Sequence, residues 1–330
     1  EIERLPNFIK VVKDLGVDAF IAADIGVISL IKKYAPEIDL HVSTQAGVVN
    51  YVTAQEFYNM GASRVVLARE LTLEEISTIR AKVNKKLELE VFVHGSMCVS
   101  FSGRCLLSSY LTGRDSNRGD CAQPCRWKYN LVEENRNGQF FPVIEENEGT
   151  YILNSKDLCM IEHIPELVDS GINSLKIEGR AKSEYYVAVT TNAYKLAVSQ
   201  YLKDKYEYVL PDFIKAELDK ISHREYSTGF FFGDEPGQTY SNGGYIRNYD
   251  VVAICNGWKD GVLEVSQRNK FYLGDVIDIL EPGEKPFIMT VDSLFDEWGN
   301  SVESAPHPMQ RLFIKTDQKV KKGAFLRKKR

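Results

Sequence analysis

Hydrophobic positions in the first 100 residues recur in a fixed order, in which a short apolar run ends in polar residues and an amphipathic stretch follows. The apolar runs are continuous rather than alternating, as expected for parallel strands that are buried on both faces. They recur every ~22–25 residues, which is the length of a strand–helix unit. We predict strands at 18–24, 40–44, 64–68 and 89–95, and the pattern resumes with strands at 151–154 and 174–179.

Helices are predicted between and after these strands. The chain opens with a helix, and further helices are predicted at 26–34, 53–60, 73–83, 158–170, 183–202 and 212–220. Two of them begin with a capping-box signature, because Thr53 is followed by Glu56 and Thr72 by Glu75. In such a box the hydroxyl accepts from the third backbone N–H of the helix, while the carboxylate reaches back to the first.

The pattern changes at two places along the chain. Residues 96–149 form a Gly-rich, polar and Cys-rich insert that is too long for an ordinary loop. From residue 250 onward the strands are short and separated by turn residues, which is typical of a small antiparallel β-barrel. We therefore predict an α/β protein with a TIM-type βα-barrel domain at 1–205, an aromatic connecting segment with a helix at 206–249, and a small β-barrel domain at 250–330. Six strand-like segments are too few for an eight-stranded barrel, so we expect its opening strands to precede residue 1.

Composition and charge are those of a globular protein. Hydrophobic residues make up 44% and charged residues 26% of the chain, and no apolar run approaches the ~20 residues of a membrane span. No export signal is visible, so we expect a cytoplasmic location, reduced thiols and no membrane partner. The net charge of −5 gives no overall case for nucleic-acid binding. Two basic stretches, 104–128 and 315–330, could contact phosphates, although the second could equally be a solvated and partly frayed end.

The cysteines are the most informative chemical feature. Clustered reduced thiols favour a metal or iron–sulfur centre over disulfides. A four-iron four-sulfur cluster needs four converging thiolates, whereas zinc prefers paired knuckles, and only Cys121 and Cys125 have such a spacing. Cys255 lies in an apolar strand and is predicted to be a core thiol. The candidate ligands are one more than a cluster needs: Cys98, Cys105, Cys121, Cys125 and Cys159.

Polar residues at the ends of the predicted strands form a second constellation. In a βα barrel the active site lies at the carboxyl ends of the strands. The side chains expected there are Asp24, Ser43, Thr44, Gln45, Arg69, Glu70, His94, Ser96, Lys156, Asp157, Glu178 and Arg180. Arg69, Lys156 and Arg180 could bind a dicarboxylate, and His94 could act as an acid–base group because imidazole titrates near neutrality. Alternatively, the charged residues are ion pairs at the rim and the histidine only orients the cysteine loop.

Several motifs occur in order along the chain: STQAG, RVVLARELTLEEI, the stretch from ELEVFVHGSMC to QPCRWKY, NSKDLCMIEHIPELVDSGINSLKIEGRAKSEYYVA and SHREYSTGFFFG. Together they resemble the collagenase-like peptidase family of unknown catalytic type, over about residues 15–240, with the β-domain also expected. The family is named for peptidases. Its better-understood members resemble cluster-bearing hydroxylases that act on tRNA uridine, on ribosomal RNA or in ubiquinone synthesis.

The resemblance implies oxygen-independent RNA hydroxylation that forms 5-hydroxyuridine at the tRNA wobble position, with prephenate as cosubstrate and rRNA as an alternative partner. It implies a 4Fe–4S cluster held by Cys98, Cys105, Cys121 and Cys159, with Cys125 as the alternative fourth ligand. The catalytic candidates are His94, Glu70, Asp157 and Glu178. The substrate-binding candidates are Ser43, Gln45, Arg69, Arg104, Arg126, Lys156 and Arg180. An unstacked base could contact aromatic residues and nearby cations, namely Trp127, Tyr129, Tyr226, 230–232, Arg126, Lys128 and Arg224.

Two other classes of protein stay open. A peptidase needs a nucleophile, and although Ser96, Ser100 and Ser102 lie near His94, no Asp-supported triad follows from the sequence. The chain also has no H-E-x-x-H zinc motif. A non-catalytic RNA-binding module would depend on the basic tail and would leave the strand-end residues without a chemical role.

Overall fold

A computed structural model describes residues 1–98, 100–127, 131–132, 140–141, 155–233 and 245–330. The chain divides into two compact units. The first unit comprises Glu1–Glu178 and Arg224–Gly244, and the second comprises Gly179–His223 and Tyr245–Arg330. No helix in the described ranges has both the length and the apolar character needed to cross a membrane.

Parallel strands and helices alternate in the first unit, as predicted. Its opening elements are α1 Leu5–Asp14, β1 Ala19–Ala22, α2 Ile25–Tyr34, β2 Asp39–Val42, α3 Tyr51–Asn59, β3 Arg64–Val66, α4 Leu73–Lys82 and β4 Glu88–Ser96. Strands β1 to β4 pair in parallel in sequence order. The seven central residues of β4 are all buried, which is why its apolar run is continuous rather than alternating.

The two predicted capping boxes have different outcomes. The box at α4 is confirmed, because the Thr72 hydroxyl accepts from the Glu75 N–H and the Glu75 carboxylate accepts from the Thr72 N–H. The box at Thr53 is wrong. Asn50 caps α3 instead, and its Oδ1 accepts from the N–H of Thr53 at 2.9 Å. The helix therefore begins two residues earlier than predicted, and Thr53 lies in its first turn.

The end of the insert also departs from the prediction. Within the insert, β5 Leu131–Val132 pairs with β6 Phe140–Phe141, and the predicted strand at 151–154 lies outside the described residues. The helix predicted at 158–170 is wrong at its start, because residues 157–159 form a strand and the helix α6 begins only later. The remaining elements of this unit are β7 Asp157–Cys159, α6 Ile164–Asp169, β8 Ser174–Ile177 and β9 Tyr226–Ser227.

Strand β4 organises this half of the sheet. Strand β8 pairs with it in parallel, and β7 pairs with its last three residues in the antiparallel direction. These three residues extend beyond the part that pairs with β3, so they offer a free edge to β7. Strand β9 then adds to β7. Among the described strands β1 pairs only with β2, so these residues form an open sheet, and closure into a barrel stays a prediction.

The second unit contains two helices and, after them, an antiparallel sheet. The sheet confirms the prediction of antiparallel strands from residue 250 onward. Its elements are α7 Glu184–Lys203, α8 Asp212–Leu218, β10 Tyr249–Lys259, β11 Val262–Gln267, β12 Phe271–Tyr272, β13 Val276–Leu280, β14 Phe287–Thr290, β15 Ser304–Ala305, β16 Arg311–Lys315 and β17 Phe325–Lys329. The main sheet has the order β14-β13-β17-β10-β11-β16. Cys255 is 1% exposed within the apolar core of this sheet, as predicted.

The basic tail ends in an ordered strand, β17, so of the two alternatives for this stretch the frayed end is wrong. Strand β17 pairs with β10 on one side and with β13 on the other. Arg327 is completely buried and donates to Glu217 and Asp278. Three further basic residues of the tail pair with acids, namely Lys321, Lys328 and Arg330. Much of the positive charge in this stretch is therefore neutralised within the unit.

Candidate functional site

The carboxyl end of β4 carries a β-bulge. Phe92 pairs with Lys176 and His94 with Ile177, so one residue of β4 has no counterpart on β8. Bulges re-aim side chains and are common beside functional sites. His94 also pairs with Cys159 on β7 and is 1% exposed. The predicted acid–base histidine is thus enclosed between two strands, beside one of the candidate ligands.

Gly95 allows the chain after β8 to approach β4 closely. Its φ is +118°, and an added Cβ would lie 2.5 Å from the carbonyl oxygen and 2.8 Å from the Cβ of Glu178. These distances are far below the ~3.5–4.0 Å of normal carbon contacts. The N–H of Glu178 donates to the carbonyl of His94 at 2.9 Å. The glycine therefore fixes Glu178, a predicted catalytic residue, directly beside the histidine.

Arg69 is held in the interior at this point. Its guanidinium carbon lies 3.9 Å from the ring centre of Phe92, in a cation–π contact. Its Nη1 donates to the carbonyl of Ser96 at 3.2 Å, and its Nη2 lies 3.8 Å from Oε2 of Glu178. The Nε of Arg69 and the hydroxyl of Ser96 are buried without a hydrogen-bond partner among the described residues. A buried N–H group such as the Nε of Arg69 can then donate a hydrogen bond to a bound anion.

The electrostatic surroundings of Arg69 connect it to the cysteines. Burial lowers the pKa of Arg69, and the charges of Glu178, Cys98 and Glu70 act in the opposite direction. Arginine remains charged in proteins even when its pKa is lowered. A buried cation therefore lies within electrostatic reach of the first candidate cluster ligand.

Glu70 fixes the loop between the first two cysteines. Its Oε1 accepts from the N–H of Ser102 at 2.6 Å, and its Oε2 accepts from the Ser102 hydroxyl at 2.8 Å. Ser102 is 1% exposed and has a φ of +46°, a conformation that costs ~1–2 kcal/mol outside glycine. Both carboxylate oxygens are thus used to hold this turn. Sequence reasoning missed this contact, and the catalytic role of Glu70 stays a prediction.

The STQAG segment packs against the same loop. Ser43 caps a short turn by accepting from the N–H of Gln45 at 3.3 Å, and the Nε of Arg104 donates to the Gln45 carbonyl at 2.5 Å. Gly47 has a φ of +70°, and a Cβ there would lie 3.3 Å from the ring of Phe101. The structure therefore brings together three predicted substrate-binding residues, although the Gln45 backbone, rather than its side chain, makes the contact.

Asp157 belongs to a buried ion pair. It is 0% exposed, and Arg224, 1% exposed, donates to it through its backbone N–H and Nε, both at 3.2 Å, and through Nη2 at 2.5 Å. Nη1 of Arg126 lies 4.0 Å from the same carboxylate. The prediction that Arg224 contacts RNA is wrong, because its guanidinium is enclosed and engaged by Asp157. No contact tests the catalytic role predicted for Asp157.

The remaining predicted cations lie in different surroundings. Arg126 donates to the carbonyl of Met97 at 3.2 Å, and Arg69 donates to that of the preceding residue, Ser96. The two arginines therefore hold consecutive carbonyl groups just before the first cysteine. Lys156 pairs with Glu225 at 3.0 Å. Arg180 is exposed and belongs to the second unit. Lys128 and Tyr129, which we predicted to contact RNA, lie outside the described residues.

All five clustered cysteines are free thiols. Burial raises the pKa of Cys98, which also senses the charges of Cys105 and Cys125. Burial likewise raises the pKa of Cys125, which senses Cys121 and Cys105. Four thiols therefore interact electrostatically, while Cys159 lies at the end of β7 opposite His94.

The donor set agrees with an iron–sulfur cluster in chemical type. The N–H of Ser100 donates to the Sγ of Cys98 at 3.4 Å, and the N–H of Gln123 donates to the Sγ of Cys121 at 3.3 Å. Hydrogen bonds of this kind stabilise thiolate ligands and tune the cluster potential. Burial acts to raise the pKa of Cys105, but hydrogen bonds from its neighbours lower it overall. In the described ranges no three His, Cys, Asp or Glu side chains lie close enough to hold a metal ion, so the thiols must reorient to act as ligands.

The chain thus has an open α/β sheet, a Cys-rich insert and an antiparallel C-terminal unit. The model of peptidase family U32 matches residues 1–241, and the model of the peptidase family U32 C-terminal domain matches residues 247–327. The chain therefore belongs to peptidase family U32, which confirms the resemblance of its motifs.

Three relatives illustrate the range of names in this family. "tRNA hydroxylation protein P1" of Bacillus subtilis is 36% identical, over 99% of this chain and 78% of the relative. "Uncharacterized protease MJ0090" of Methanocaldococcus jannaschii is 40% identical, over 85% and 69%. "tRNA hydroxylation protein P" of Escherichia coli is 34% identical, over 92% and 76%.

Proposed function

We propose that this protein is an iron–sulfur-dependent, oxygen-independent tRNA hydroxylase, which forms 5-hydroxyuridine at the wobble position with prephenate as cosubstrate and acts in the cytoplasm. The names of two relatives that match most of the chain support tRNA hydroxylation. The observation that carries the proposal is the enclosed guanidinium of Arg69, which donates to the carbonyl of Ser96, two residues before Cys98, and lies 3.8 Å from Glu178. A fixed cation next to candidate cluster ligands suits an anionic hydroxyl donor.

In this proposal Cys98, Cys105, Cys121 and Cys159 hold a 4Fe–4S cluster, with Cys125 as the alternative to Cys159. The cluster supplies one-electron chemistry when it is bound. The charges of Cys121 and Cys105 act on Cys125, which favours Cys125 as the fourth ligand. The position of Cys159 opposite His94 favours Cys159 as the fourth ligand. The parallel strands are proposed to form part of a TIM-type barrel, since the candidate residues follow their carboxyl ends.

The protein's own residues have separate tasks. Arg69 binds a carboxylate of the donor through the forked geometry of its guanidinium, with its unpaired Nε as one of the donors. His94 holds or moves a proton at one of its ring nitrogens. Glu178 keeps Arg69 oriented until the donor arrives. The burial of Arg69 and His94 excludes water and strengthens these interactions.

Two measurements test the proposal. Anaerobically purified protein should contain about four irons and four sulfides per chain, with a visible absorption band. Nucleosides of tRNA from a deletion strain should lack 5-hydroxyuridine. The wild-type gene should restore it and the Arg69→Lys variant should not, because lysine keeps the positive charge but lacks the forked guanidinium.

Unchanged 5-hydroxyuridine in the deletion strain would overturn the tRNA assignment. The same preparations are assayed for cleavage of collagen and casein. Cleavage by cluster-free protein would instead establish the peptidase alternative. Hydroxylation of rRNA with unmodified tRNA would establish the other RNA substrate.

A further inference from the structure

The second unit contains a cavity that the proposed reaction does not use. It has a volume of about 340 Å³ and lies between α8 and the strands β13, β14 and β17. Ligand sites in proteins measure roughly 300–1,000 Å³, so this cavity admits a small ligand or one unit of a polymer. Its floor, rim and walls differ in chemistry.

The floor carries two acids and one lysine, and a buried arginine next to them completes a neutral set. The carboxylates of Glu217 and Asp278 face the Nζ of Lys220 at 2.7 and 2.5 Å. Nη2 of the buried Arg327 lies 2.5 Å from Glu217 and 3.1 Å from Asp278. Two acids and two cations leave no net charge at the bottom. A ligand is therefore selected by the rim and the walls.

The rim is positively charged. Lys285 and Lys329 line it, are exposed, and have no carboxylate partner among the described residues. Lys328 is also at the rim, but its Nζ is 2.7 Å from Asp275. The rim thus carries two uncompensated positive charges in a chain with a net charge of −5. The rim therefore favours an anion.

The walls are apolar and partly aromatic. Phe213 and Tyr249 contribute rings, and Val276 and Ile288 are 59% and 66% exposed. The Nζ of Lys285 lies 5.3 Å from the ring centre of Phe213. Aromatic faces next to free cations are the combination by which proteins hold single-stranded nucleic acid. An acidic peptide would satisfy the lysines but leave the rings without a flat partner.

We propose that this cavity binds one nucleotide of an RNA chain, with the base against Phe213 and Ile288 and the neighbouring phosphates at Lys285 and Lys329. The inference rests on the proposed function for the identity of the RNA, which is the tRNA substrate. The second unit thereby positions tRNA and takes no part in the chemistry.

Binding of fluorescein-labelled tRNA to the 330-residue chain tests this site. Fluorescence anisotropy over a range of salt concentrations compares wild type with Lys285→Ala/Lys329→Ala. Each single-strand phosphate contact contributes about 0.7 to the slope of log affinity against log salt, so losing two should reduce the slope by roughly 1.4. Phe213→Ala should weaken binding by roughly fivefold or more with little change in slope. The matched control is Lys259→Ala/Lys322→Ala, which removes two exposed lysines of the same unit that do not line the cavity.

Three outcomes would overturn the inference. One is an unchanged slope in the cavity variant, and another is an equal loss in the control variant. The third is displacement of tRNA by polyglutamate but not by single-stranded RNA, which would mark a site for an acidic protein. The cavity lysines are exposed, so unchanged melting of both double variants should show that they fold. Binding needs neither cluster nor cosubstrate, so a failure of the hydroxylase proposal leaves this measurement interpretable.

Discussion

Replacing Asp157 with asparagine tests whether the buried ion pair is structural. Asp157→Asn keeps the shape of the side chain but removes its charge. Arg224, which is 1% exposed, then loses this counter-charge, and Arg126, at 4.0 Å, loses the same partner. Three hydrogen bonds from Arg224 to this carboxylate weaken at the same time.

The expected loss is large because solvent does not screen the pair. Both side chains are 1% exposed, and breaking a buried pair by removing one partner costs about 3–5 kcal/mol. Coulomb's law gives a similar scale, roughly 4 kcal/mol for charges about 4 Å apart at an effective dielectric constant of about 20. In a unit of roughly 200 residues each kcal/mol lowers Tm by about 2–4 °C. We therefore expect Tm to fall by ~6–20 °C.

Calorimetry or circular dichroism measures the change, and a double-mutant cycle assigns it. Asp157→Asn combined with Arg224→Met removes both charges, so the double variant should lose less stability than the sum of the single variants. The surface pair of Lys156 and Glu225 is the matched control. Its side chains are 30% and 46% exposed, and Lys156→Gln should cost about 1 kcal/mol or less.

One result would refute the reasoning. If Asp157→Asn melts within about 2 °C of wild type and yet abolishes hydroxylation, the carboxylate acts in the reaction, as the sequence predicts. If activity and stability fall together, and a temperature low enough to keep the variant folded restores activity, the role is structural.

Three further changes have defined outcomes. Cys159→Ala should lose iron on anaerobic purification while Cys125→Ala retains it, and the reverse iron contents would put Cys125 in the ligand set. Gly95→Ala should lower the free energy of unfolding by at least ~1–3 kcal/mol from backbone strain, and a denaturant titration with an unchanged midpoint would contradict the close approach seen here. Thr72→Ala should cost ~0.5–2 kcal/mol because it removes a helix cap. The control Thr53→Ala should cost less in the same titration, because that hydroxyl caps nothing.

Local signals predicted most of the regular structure. Continuous apolar runs identified β1 to β4, and the seven central residues of β4 are buried on both faces. Burial is incomplete in β1, where Ile21 is 60% exposed. The capping box of Thr72 was readable because its two residues lie one helical turn apart. At α3 two capping residues compete within four positions, Asn50 and Thr53, and sequence alone does not choose between them.

Contacts between residues that lie far apart in the sequence could not be predicted from it. Strand β7 has three residues, and its apolar positions merge with the helix that follows, so only its pairing with β4 reveals it. The bond from Ser102 to Glu70 spans 32 positions, and the pair of Asp157 and Arg224 spans 67. Spacing along the chain carries no signal for such partners. The cysteines could be grouped from sequence, but the choice of the fourth ligand depends on side-chain directions.

The position of β17 has a consequence for synthesis of the chain. This strand separates β13 from β10 in the main sheet, yet it follows both of them by tens of residues. Until residues 325–329 have left the ribosome, the earlier strands form two separate ribbons, β14-β13 and β10-β11-β16. No hydrogen bonds join these ribbons, because β17 is the strand that pairs with both. Unpaired strand edges invite association with other chains, so the second unit is most exposed to aggregation until β17 has been synthesised and has paired with both ribbons.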